Sequence, residues 1–171
     1  VFLRKTIAVV ASAAALSAGL VTTAHAAPRT VTYNSSSTGE FQAAIDQGAQ
    51  IWNNSVTNVK LVKVTGSANI TVSVDNQWPR AYVSGLGRGR WVMGRQAVNE
   101  GHNTVRISSH EFGHLLGLPD RRTGLCTDLM SGASAGTSCT NPNPNSREKS
   151  EVEANFRTSV TVQATTFEDA A

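Results

Sequence analysis

The run His110-Glu111-Phe112-Gly113-His114-Leu115-Leu116-Gly117-Leu118-Pro119-Asp120 holds two kinds of metal ligand and one proton carrier within a short span. Four residues apart on a helix, His110 and His114 stand one above the other on the same face, so both imidazoles can reach one cation. Glu111 follows His110 directly, near enough to act on a water beside that cation without being a ligand, which suits a general base. A catalytic zinc site uses three protein ligands and keeps a position open. Gly117 tolerates positive φ and lets the chain bend back, and Asp120 is the first ligand-competent side chain after the bend. A bare His-Glu-x-x-His arises by chance on exposed helices. The added glycine and acid supply both the turn and the third ligand, so the combined pattern points to a catalytic metal centre.

Several elements must position this segment. Its own helix is expected from residue 103 or 104 to 116, stopping at Gly117, with Val105, Ile107, Phe112, Leu115 and Leu116 on a core-facing side. An earlier amphipathic helix is expected over 38–53, where Phe41, Ala44, Ile45, Gly48, Ala49 and Trp52 recur at helical spacing. Runs rich in β-formers at 30–33, 59–64, 70–74, 81–83 and 91–93 read as strands. Between the last two, Gly85-Leu86-Gly87-Arg88-Gly89 lacks the following helix that a phosphate cradle needs, and reads as a hairpin connection. Past Gly117 the chain is irregular, and the prolines of Asn141-Pro142-Asn143-Pro144-Asn145 exclude a central strand or helix interior. Asn145, with Glu148 three residues on, caps a last helix whose apolar edge is Val152 and Phe156. Residues 158–171 read as an extra strand or a loose tail, and no internal repeat is present.

The 171 residues, 40% hydrophobic and 16% charged, suit one globular domain rather than a disordered or low-complexity chain. Arg4-Lys5, an apolar run over 7–21 and Ala24-His25-Ala26 before Ala27 have the layout of a secretory signal peptide over 1–26, leaving a domain over 27–171. The run is shorter than the ~20 apolar residues of a membrane-spanning helix. Losing Arg4 and Lys5 brings the net charge from +3 to +1, which offers no support for a nucleic-acid or membrane partner. In an oxidising compartment Cys126 and Cys139 pair by default, closing a loop of a length associated with ~3 kcal/mol. Their spacing matches no common zinc-binding pair.

These residues resemble the snapalysins, small secreted metalloendopeptidases of Streptomyces and relatives in the metzincin clan. The resemblance covers most of the chain past residue 27. It is strongest through His110-Glu111-x-x-His114-x-x-Gly117-Leu118-Pro119-Asp120, Leu129-Met130-Ser131-Gly132 and Ser138-Cys139-Thr140-Asn141-Pro142. Most metzincins have a third His where snapalysins have Asp, so Asp120 is the most family-specific residue. The resemblance implies an α+β, metzincin-like catalytic domain: a twisted mixed sheet, a long active-site helix and a small irregular C-terminal part. It implies zinc held by His110, His114 and Asp120, Glu111 as base, a Met-turn at Met130 beneath the metal, and a Cys126–Cys139 disulfide. It further implies a substrate lying extended along the strand near 82–86, and a preference for an aromatic residue after the cleaved bond. The expected partners are protein or peptide substrates, met by a secreted monomer.

Three features depart from the family pattern. Relatives carry a tyrosine two residues past the Asp ligand, assigned to the oxyanion. Here Arg122 stands there, read either as a positive charge for that oxyanion or as a solvated member of the Arg121-Arg122 pair. The family's calcium site uses an Asp and a Thr just before the metal helix, where this chain has Asn103 and Val105, and the lost carboxylate weakens the case for Ca2+. Only about 27–29 precedes the first strand, so control by a long pro-peptide is not expected. Two other readings compete: a third ligand drawn from Glu148, Glu151 or Glu153 on the last helix, as in thermolysin-like proteases, and a secreted non-catalytic binding module containing a metal.

Overall fold

The computed structural model describes residues 27–158 and 160–168. The expected signal segment, 1–26, lies outside the described residues. Strands β1 (Arg29–Asn34), β2 (Val59–Lys63), β3 (Ile70–Asp75), β4 (Arg80–Gly85), β5 (Arg88–Gly94) and β6 (Thr165–Glu168) form one sheet in the order β2-β1-β3-β5-β4-β6. Parallel pairing joins β1 to β2, β1 to β3 and β3 to β5, whereas β4 runs antiparallel to both β5 and β6. The class is the expected α+β with a mixed sheet. The glycine-rich run is the expected hairpin, since β4 and β5 pair across it.

Helix α1 (Gln42–Ser55) is preceded by a short 3-10 turn, and Ile45, Gly48, Ala49 and Trp52 form its buried face at the expected spacing. It packs on α3 (Thr104–Leu115), and the Trp52 indole donates to the Ser109 carbonyl at 2.8 Å across that contact. A buried indole N–H paired in this way combines apolar packing with a fixed register between the two helices. Phe112, on the sheet-facing side of α3, meets Tyr33 and Trp91 edge-to-face at 5.3 and 5.4 Å. Val105, expected on the buried side, is only half-buried because it lies in the first turn.

Two short elements were not anticipated: α2 (Arg95–Asn99) and a 3-10 segment over Leu129–Ala135. Neither is long enough to show a hydrophobic period. The last helix, α4 (Ser146–Thr158), begins at the expected capping box. Asn145 Oδ1 accepts from the Glu148 N–H at 2.9 Å, and Glu148 Oε2 accepts from the Asn145 N–H at 2.7 Å. Within the C-terminal segment, 165–168 form the strand β6 on the outer edge of β4.

Candidate metal centre

Helix α3 starts where Asn103 Oδ1 accepts the Arg106 N–H at 2.9 Å and ends in a Schellman turn. Gly117, at φ +93°, lets its own N–H donate to the His114 carbonyl at 2.9 Å and the Leu118 N–H donate to that of Gly113 at 3.0 Å. A residue with a Cβ is strained at that φ, so the glycine is what allows the chain to reverse over the end of the helix. The reversal brings the Leu118 carbonyl to 2.9 Å from His114 Nδ1 and swings Asp120 back toward the imidazoles.

His110 Nδ1 lies 3.0 Å from the Leu129 carbonyl. Because a carbonyl can only accept, the proton of each imidazole sits on Nδ1, and both Nε2 atoms present lone pairs. Those two Nε2 atoms are 3.0 Å apart, and Asp120 Oδ1 is 3.4 Å from one and 3.6 Å from the other. Asp120 Oδ1 is buried with no hydrogen-bond partner among the described residues. Three ligand-competent atoms thus converge in a buried setting, an arrangement that suits a cation among them. A tetrahedral zinc with bonds of ~2.0–2.1 Å sets its nitrogen ligands roughly 3.3 Å apart, close to what is found. The donor set fits a divalent metal. Among the described residues, His110, His114 and Asp120 are the cluster whose ligand atoms approach within 4.8 Å of one another.

Electrostatics agree with an uncharged His114 beside an ionised Asp120. Burial, reinforced by neighbouring His110, pushes the His114 pKa down to about 3, so its imidazole is uncharged at ordinary pH. Burial alone would raise the Asp120 carboxyl, but the His110 imidazole, His114 and the Arg122 guanidinium outweigh it and hold the group below its usual range. Glu111 is fully buried on α3 beside these ligands.

The alternative third ligands are engaged elsewhere. Glu148 Oε1 accepts the Met130 N–H at 2.8 Å, Glu151 pairs with Arg121 at 2.5 Å, and Glu153 accepts the N–H of Asn58 at 2.9 Å. Met130 lies beneath α3, where a methyl group added at Gly113 would fall 2.7 Å from its Sδ. Glycine there lets the thioether pack closely against the helix. The Cys126–Cys139 disulfide is present and brackets the Leu129–Ala135 segment that carries Met130.

The sequence did not reveal Arg106, which is 6% exposed and clamps this segment from α3. Its guanidinium donates to the carbonyls of Asn141 at 2.6 Å and Asp128 at 2.8 Å. Its place one helical turn before His110 was the available signal. Phe167 was missed as well: its ring stacks on that of His114, 4.1 Å between centroids and 5° between planes. Arg122 has Nη2 3.4 Å from Asp120 Oδ2 and donates to the Glu168 carbonyl at 2.7 Å.

Residues 28–158 match the model of the Streptomyces extracellular neutral proteinase (M7) family. The chain belongs to that family. It is 43% identical over 126 residues to an extracellular small neutral protease of Streptomyces caespitosus, covering 73% of this chain and 95% of that protein. Over 128 residues it is 41% identical to one from Streptomyces lividans, and over 124 residues 42% identical to one from Streptomyces sp. strain C5. The chain spans only 56% and 54% of the length of those two. The snapalysin resemblance read from the sequence therefore holds. As a member of the M7 family the chain is an extracellular proteinase, and no described helix is long and apolar enough to cross a membrane.

Proposed function

We propose that the protein is a secreted zinc endopeptidase in which His110, His114 and Asp120 hold the metal and Glu111 is the general base. The observation carrying this reading is the convergence of two Nε2 lone pairs and the Asp120 carboxylate, each imidazole oriented by a backbone carbonyl. Two imidazoles and one carboxylate suit zinc better than the all-oxygen shells of calcium or magnesium. Zinc held there supplies Lewis acidity, making water a stronger acid and a peptide carbonyl a better electrophile.

The chain's own residues do the rest. Glu111 takes the proton of the attacking water and delivers it to the leaving amine, a transfer favoured by a buried carboxylate on the ligand-bearing helix. Met130 forms the floor, and the carbonyl of neighbouring Leu129 fixes the His110 tautomer. Arg122 carries positive charge beside Asp120 and supports the oxyanion. The edge of β4 receives the extended substrate through main-chain pairing. A preference for an aromatic residue after the cleaved bond rests on the family resemblance alone. Residues 1–26 direct export of a monomer whose domain starts near 27.

The test is casein hydrolysis by zinc-loaded protein and by Glu111→Ala, with zinc per chain measured for both. Removal of a general base lowers turnover by about 10²–10⁴-fold, and zinc content should stay at that of the unaltered protein. Zinc binding without cleavage by the unaltered protein would overturn the peptidase reading in favour of a non-catalytic binding module.

A further inference from the structure

The proposed peptide site already has an occupant. Without β6, β4 would be the outer strand of the sheet, and β4, like β5, packs beside helix α3, which carries two of the candidate ligands. An exposed edge of this kind accepts an extended peptide by main-chain hydrogen bonding. Here β6 fills it, antiparallel and in a continuous register that sets Val83 opposite Thr165, Tyr82 opposite Thr166, Ala81 opposite Phe167 and Arg80 opposite Glu168.

Two further contacts tie this strand to the metal centre. Phe167 lies flat against the His114 ring. Arg122 bridges a second candidate ligand to the tail, approaching Asp120 Oδ2 while donating to the Glu168 carbonyl. The strand therefore touches the centre through both side chain and main chain, in the posture of a bound peptide.

The attachment is slight. Thr165, Thr166 and Glu168 are exposed and only Phe167 is half-buried, so the strand can lift at far lower cost than the core elements. It also lies past residue 158, where the match to the family ends. It is thus an addition to the part of the chain that the family shares.

We infer that residues 165–168 occupy the peptide site in cis and must lift off before an extended peptide can pair with β4. The inference rests on the peptidase reading of the same site. When the competent form is a minor fraction, apparent affinity falls by that fraction, so a tail that is down about nine-tenths of the time weakens peptide binding about tenfold.

The experiment uses the full chain in metal-free form, so that no peptide is cut. A fluorescein-labelled peptide of residues 163–168, Gln-Ala-Thr-Thr-Phe-Glu, is titrated and followed by anisotropy. Phe167→Ala, which removes the ring from His114, should bind it about tenfold more tightly. Thr166→Pro, which interrupts pairing with β4 but keeps the phenyl ring, should do the same, and Phe167→Tyr should behave as the unaltered chain. Equal affinity for the unaltered chain, Phe167→Ala and Thr166→Pro overturns the inference. Casein hydrolysis by the zinc-loaded proteins separates the two readings. Tighter peptide binding by the variants with no cleavage by any of them keeps the occupancy and removes the peptidase reading. Cleavage with unchanged KM and unchanged peptide affinity removes the occupancy and keeps the peptidase.

Discussion

The floor and the roof of the candidate metal centre are built in opposite ways. The floor consists of α3 and the Met130 segment, buried and held by carbonyls, by Arg106, by the Glu148 carboxylate and by a disulfide. The roof is a four-residue strand, mostly exposed, joined to the site by one ring, one guanidinium and the pairing with β4. The ligand geometry is thus over-determined from below, where a shift of any member strands several buried polar groups. Above, few interactions need to break, so access is the quantity that can change.

Changes to the floor and the roof should separate accordingly. The largest effect is expected from Asp120→Ala, which should weaken zinc binding by about 10³-fold, beyond the 10–100-fold typical of an outer-shell change. Glu151→Ala should leave it unaltered, and equilibrium dialysis of the two variants measures both. Equal losses would return the third ligand to α4.

Next is the pH dependence of the metal-free protein. The folded His114 pKa of about 3 lies below its ordinary 6.5, so between those values the unfolded chain binds a proton that the folded chain does not. Stability should therefore be fully present above pH 6.5 and fall as the pH drops toward 3, by on the order of a few kcal/mol. Urea midpoints across that range test this, and a flat profile would mean that His114 is already protonated in the folded state.

Arg106→Ala leaves buried carbonyls without their donor and should cost about 3 kcal/mol, read as a lower Tm with the Met130 segment loosened. The smallest effect concerns the roof. In a Phe167→Ala background, Arg122→Ala should lower kcat/KM about tenfold, less than a fully buried oxyanion donor because the guanidinium is partly exposed. An unchanged value would confine Arg122 to holding the tail.

Most of the floor was legible because its signals are local. A four-residue spacing places His110 and His114 together on any helix, and Gly117 announces the reversal that returns Asp120. The Asn145 and Glu148 capping box was readable for the same reason, since its partners lie within one turn. Strand positions also came through, because β-rich runs are separated by clear breakers.

The sequence by itself determined the ligand types, their spacing on α3, the turn after it and the family that the pattern resembles. Tertiary structure alone decided that the α4 carboxylates are engaged away from the histidines, which of them anchors Met130, and that the chain's last described strand lies over His114. The physical reason is range: helix faces, caps and turns are set by neighbours a few residues away. The contacts of Arg106 with Asn141, Glu148 with Met130 and Phe167 with His114 join distant segments, and only packing of the whole sheet against α3 brings them together.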